Sequence, residues 1–242
     1  MPTNAKTYIA LVLATGAGVL FFAASRWSPT SLLAFFVFLG VALFASTMKV
    51  RIPEMTGTMS PNFAVLLIGM ASFSFSEVIV AAFGAALVQS MWRAKQRPQM
   101  VQVLFNAAAL PVSYAISFWL ASSIVRYLMP NFSVALVLLA GCFYLAVNTA
   151  LVSMVVGLAE GRRLGQAWRN CYESVFPYFL AGILLTGLLT GSPAEVSAWS
   201  KTLILVPFMA LAHFYVAGRQ RVAAQPAYQQ EESQEERELV EV

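Results

Sequence analysis

Long apolar runs separated by short polar breaks make up most of this chain. Crossing the hydrocarbon core of a bilayer takes about 20 apolar residues in a helix, fewer where the bilayer is thin or distorted. Eight runs fit that template: residues 7–25, 31–48, 62–75, 77–92, 101–127, 132–158, 176–190 and 202–217. Pro61, Pro98, Pro130, Gly161, Gly191 and Pro193 punctuate the joints between them. The predicted fold class is all-α, a polytopic transmembrane bundle of about eight helices. The third run is short, and it meets the fourth in a very tight turn at residues 72–77.

Composition strengthens this reading. The 242 residues are 59% hydrophobic and 11% charged, against roughly 25% charged in a soluble domain. The bilayer is then the solvent for most side chains. All eleven acidic residues are glutamates, and six of them lie in the last twelve positions. That leaves Glu54, Glu77, Glu160, Glu173 and Glu195 for the apolar part. Paired aspartates, most carboxylate metal cages and aspartate-based phosphotransfer are thereby excluded.

The formal charge is +4, but the basic residues lie between apolar runs, as membrane topology rather than nucleic-acid binding requires. With the N-terminus in the cytoplasm, the inner side receives twelve Lys and Arg and the outer side only Arg26, Arg126 and Lys201. Both termini are then inside, and the expected location is a bacterial inner membrane. Residues 1–218 form the transmembrane domain in this reading, and 219–242 an acidic, disordered cytoplasmic tail. The first run has Phe22 where a signal-peptidase site wants a small residue, so it reads as a retained helix. Residues 161–175 place Leu164, Trp168, Cys171 and Val175 at helical spacing, with Arg162, Arg163 and Arg169 on other faces. Two readings stay open there: a short helix along the inner headgroups, or an ordinary basic loop.

Candidate chemistry is sparse. One histidine, His213, and no aspartate leave no catalytic triad. Cys142 and Cys171 fall in unlike surroundings, so neither a disulfide nor a metal cluster is expected. No catalytic residue, metal or cofactor is assigned. Polar side chains inside hydrocarbon are expensive and so carry information. Gln89, Gln102 and Asn106 flank one basic loop and are read as one polar cluster, a candidate ligand site together with Asn148. The plain alternative for each is interhelical glue worth about 1 kcal/mol. Trp92, Arg93, Lys95, Arg97 and Trp168 are read as membrane-interface residues. Pro111 is expected to interrupt the fifth helix. Glu77 is expected to open the fourth at the outer surface, favoured there by the helix dipole, with sensing of outside cations or pH as the functional alternative. Ala10, Ala14 and Gly18 recur at four-residue spacing on the first helix and are read as a close-packing face for another helix or subunit.

The stretch 49–106 holds the one irregular loop that looks specified, with Pro53, Gly57 and Pro61 ahead of the third helix. Its pieces KVRIPEMTGTMSPNFAVLLIG and EVIVAAFGAALVQSMWRAKQRPQMVQVLFN resemble the multi-pass membrane regions that precede GGDEF or HD-GYP cyclic-di-GMP signalling domains. A weaker similarity is to the small-molecule-binding subunits of energy-coupling-factor transporters. The first resemblance implies a sensor without catalysis that addresses a cytoplasmic signalling protein, although no GGDEF or HD-GYP sequence is present. The second implies a solute-binding component working with transporter subunits. The expected partners are the lipid bilayer, a cytoplasmic protein and a small-molecule ligand, with no nucleic acid.

Overall fold

The computed structural model describes residues 1–29, 31–51, 58–92, 99–128, 133–161, 164–191, 201 and 203–207. It is an all-helical bundle. The helices are α1 (Thr3–Ser25), α2 (Leu32–Thr47), α3 (Asn62–Ser72), α4 (Phe75–Met91), α5 (Met100–Leu128), α6 (Ser133–Glu160) and α7 (Leu164–Thr190). Residues 203–207 are also helical and bring Leu205, fully buried, into the main core. Between α2 and α3, Val50 pairs with Met59 and Arg51 with Thr58 in a short antiparallel ladder. The basic loop residues Arg93, Lys95 and Arg97, together with His213 and the acidic tail, lie outside the described residues.

Three helices, α1, α5 and α6, are long and apolar enough to cross a membrane. Their outward faces carry large apolar side chains, among them Leu11, Phe21, Leu120 and Met154. In water such faces would be costly; in lipid they are matched to the solvent. The class defined by these features is an all-α membrane protein.

The centre of the bundle is α3. It packs against α2, α4, α6 and α7, and every residue from Asn62 to Met70 is buried. Its 11 residues rise only about 16 Å, roughly half the hydrocarbon thickness. Together with α4 it forms a hairpin sunk into the bundle. At one end, here the loop end, Asn62 lies level with Ser46 and Gln89. At the other, the tip, Phe73 stacks on Phe38 at 4.5 Å and Phe75 on Trp119 at 5.9 Å. Phe38 is about 9 Å into α2, and α5 runs on about 14 Å beyond Trp119. The hairpin tip therefore stops short of the end of α5.

Glycines make this packing possible. A methyl group on Gly182 would come within 2.2 Å of the Phe63 ring, and one on Gly69 within 2.5 Å of Phe38. On α1, a methyl at Gly16 would meet the Ala108 backbone of α5 at 2.8 Å.

Several sequence expectations change. The tight turn is real, but α4 begins at Phe75, and Ser74 caps it. The Ser74 hydroxyl accepts from the Glu77 amide at 3.3 Å, and Glu77 Oε2 accepts from the Ser74 amide at 2.8 Å. Glu77 is thus three positions into the helix and 0% exposed, not at a surface. Helix α5 runs through Pro111 without ending, held by packing on α1, α4 and α6. Residues 164–175 are neither a separate interfacial helix nor a loop. They continue without a break into the apolar part of α7, through Pro177. The turn before them is made at Gly161, whose φ of +67° suits a residue without a side chain.

Candidate functional site

A buried polar group that joins three helices lies at the loop end of the hairpin. Ser46, in the last turn of α2, is 0% exposed. Its hydroxyl donates to the Ala42 carbonyl one turn back, at 2.8 Å. Asn62 follows Pro61, which sits just ahead of α3 and needs no amide hydrogen there. Its side-chain amide has two hydrogens. One goes to Ser46 Oγ at 3.1 Å and the other to Gln89 Oε1 of α4 at 3.2 Å. One buried amide therefore ties α2, α3 and α4 together. Two residues earlier, Ser60 is also buried, and its hydroxyl has no partner among the described residues.

Just beyond this node the Lys49 ammonium donates to the carbonyl of Trp92, the C-cap of α4. A cation there is favoured by the helix dipole. Partial burial pushes the Lys49 amine below the ordinary lysine range, so its charge is held against some desolvation.

The sequence placed Gln89, Gln102 and Asn106 in one cluster. The structure gives them different surroundings. Gln89 joins Asn62, whereas Asn106 donates to Ser90 Oγ at 3.1 Å on an exposed face. Gln102 is exposed one turn earlier on α5. Gln89 and Ser90 are consecutive and project about 100° apart. Asn148 is half-buried on α6, and Trp92 and Trp168 are exposed. Asn62 was missed as a site residue because it read only as a helix start. The available signal was three amide- or hydroxyl-bearing residues, Ser46, Asn62 and Gln89, at the same end of consecutive helices.

The next residue, Phe63, locks the start of α3 into an aromatic nest. Its ring centroid is 4.3 Å from Phe179 and 5.5 Å from Tyr178. Tyr114 stacks on Tyr144 at 4.4 Å and donates its hydroxyl to the Phe63 carbonyl at 3.1 Å. At the opposite, tip end an apolar cavity of about 10 Å³ is lined by Met70, Phe73, Ile79 and Phe118, among others. That is room for roughly one water-sized sphere.

The node consists of neutral donors and acceptors. Among the described residues no group of three or more His, Cys, Asp or Glu could hold a metal ion, and Cys142 is free and exposed on α6. What this arrangement can do is fix, or release, the relative position of three helices through hydrogen bonds. Comparison with protein-family models, curated proteins and solved structures finds no match for this chain.

Proposed function

We propose that this chain is a multi-pass protein of a bacterial inner membrane. It acts as a sensor or ligand-binding module that relays a signal to a cytoplasmic partner and does no catalysis of its own. The observation that carries this reading is the node of Ser46, Asn62 and Gln89. It joins three helices beneath the loops at one end of the bundle. Two residues before Asn62, the buried hydroxyl of Ser60 has no partner among the described residues. Such a node can exchange one hydrogen bond for another when α3 shifts, and Lys49 and Trp92, bonded to each other, follow Ser46 of α2 and Gln89 of α4 by three residues. The likeness of residues 49–106 to membrane regions of cyclic-di-GMP signalling proteins points the same way. In this reading both termini and the Lys49–Trp92 end face the cytoplasm.

A solute-carrying subunit is the competing class, and accessibility separates the two. Cys142 and Cys171 are replaced by alanine, and single cysteines are placed at Val65 and Ala82, both fully buried. A relay exposes these positions to a membrane-impermeant maleimide from one face at most. Labelling from both faces contradicts the relay and favours transport.

A further inference from the structure

The tip of the α3–α4 hairpin carries a second polar site, remote from the node and independent of the relay reading. Glu77 is 0% exposed. The capping box with Ser74 uses only one of its carboxyl oxygens: Oε2 accepts from the Ser74 amide. The other, Oε1, is fully buried and has no hydrogen-bond partner among the described residues. An ionised carboxylate is an acceptor only, with room on each oxygen for about two donors. A helix cap explains Oε2 and leaves Oε1 unexplained.

No cation of the protein meets it among the described residues. The helices packed against α4 are α1, α2, α3 and α5. On α1 the titratable groups are Lys6, exposed near the N-terminus, and Tyr8, whose hydroxyl donates to the Leu151 carbonyl. Arg26 caps α1, and its carbonyl accepts from Ser76 Oγ at 3.2 Å. Its guanidinium, however, lies over the Phe22 ring, 5.6 Å from the centroid. Beyond α2, Lys49 is engaged with Trp92 at the other end of α4. Helix α3 carries no titratable group. On α5, Tyr114 donates to Phe63, and Arg126 and Tyr127 are exposed near the far end.

We propose that Oε1 of Glu77 is a binding point for a small cation taken from water, either a proton or a monovalent metal ion. The chemistry is shared: a buried oxygen with spare lone pairs and no protein cation accepts positive charge from outside. A proton bonds to Oε1 and leaves a neutral acid. A metal ion is held by Oε1 through the same free lone pairs.

The test uses the full chain in lipid nanodiscs and its Glu77→Gln variant, which keeps an acceptor for the Ser74 amide. Melting temperature is followed from mildly alkaline to mildly acidic buffer, and in sodium chloride against the same concentration of choline chloride. A rise of several degrees on acidification in choline, absent in the variant, assigns a proton. A rise with sodium but not choline at constant pH, absent in the variant, assigns a metal ion. The same pH and sodium response in both proteins overturns the proposal and leaves a buried water as the partner of Oε1. If the variant does not fold, the wild type is treated with dicyclohexylcarbodiimide and Glu77 read by mass spectrometry. Labelling that falls to background on alkalinisation assigns the proton, and labelling suppressed by sodium alone assigns the metal ion. Labelling that is absent or indifferent to both overturns it.

Discussion

Helices α1 and α3 are similar in composition and opposite in situation. Both are mostly apolar, and Lys6 near the start of α1 is the one charged residue in either. Yet α1 is 23 residues long and leaves most of its surface outside the bundle, whereas α3 has 11 residues and is buried from Asn62 to Met70. In water, an apolar residue outside and one inside differ by the hydrophobic effect. In lipid they hardly differ, because acyl chains are as apolar as leucine. What separates the two helices is packing. Side chains of α3 are enclosed by rings and glycine-lined contacts, while much of α1 meets only the solvent.

The largest effect that sharpens this contrast comes from matched leucines. Leu67 of α3 is 0% exposed and Leu11 of α1 is 64% exposed. Leu67→Ala leaves a cavity and is expected to cost roughly 2–4 kcal/mol. Leu11→Ala is expected to change stability by less than about 0.5 kcal/mol. Reversible unfolding in mixed micelles measures both, and equal losses would break the comparison.

Next come two glycines of α1 itself. A methyl on Gly16 meets the Ala108 backbone, whereas one on Gly18 meets nothing within 4 Å. Gly16→Ala is expected to push α1 off α5 and cost about 1–3 kcal/mol. Gly18→Ala is expected to be neutral or to gain up to about 1 kcal/mol from helix propensity. The same unfolding measurement reads the sign of each.

Smaller again is the node. Asn62→Leu removes two interhelical hydrogen bonds, to Ser46 and Gln89. In a bilayer such bonds contribute about 0.5–2 kcal/mol in total. In the relay reading the variant also loosens the loop end, so amide exchange near Lys49 and Trp92 should quicken while exchange around Phe73 does not. Quickening at both ends alike would mean that Asn62 serves only global stability.

Much of the helix pattern could be read from the chain alone. Seven of the apolar runs correspond to α1–α7, since a membrane segment announces itself by length and hydropathy. The start of α7 could not be read this way. Its first turns are polar enough to resemble a loop, and only continuity of the backbone through Pro177 reveals them as helix. The central position of α3 was equally hidden. The run NFAVLLIGM has no polar face to mark a lipid side or a core side. Part of the site was legible: Gln89 was singled out, and it does make an interhelical bond. Its partner Asn62 was not, because side-chain pairing across helices depends on register that the sequence does not display. Glu77 was placed correctly at a helix start, but its burial follows from the sunken hairpin tip and not from local sequence.

The central claim is that α3 is a half-length helix enclosed by protein. Photolabelling with a diazirine-bearing phospholipid in native membranes, read by peptide mass spectrometry, tests it on the unmodified chain. The account expects label on α1, α2 and α5, at residues such as Leu11, Phe21, Phe36 and Leu120, and none between Asn62 and Met70. Label on that stretch of α3 at the level found on α1 would contradict it.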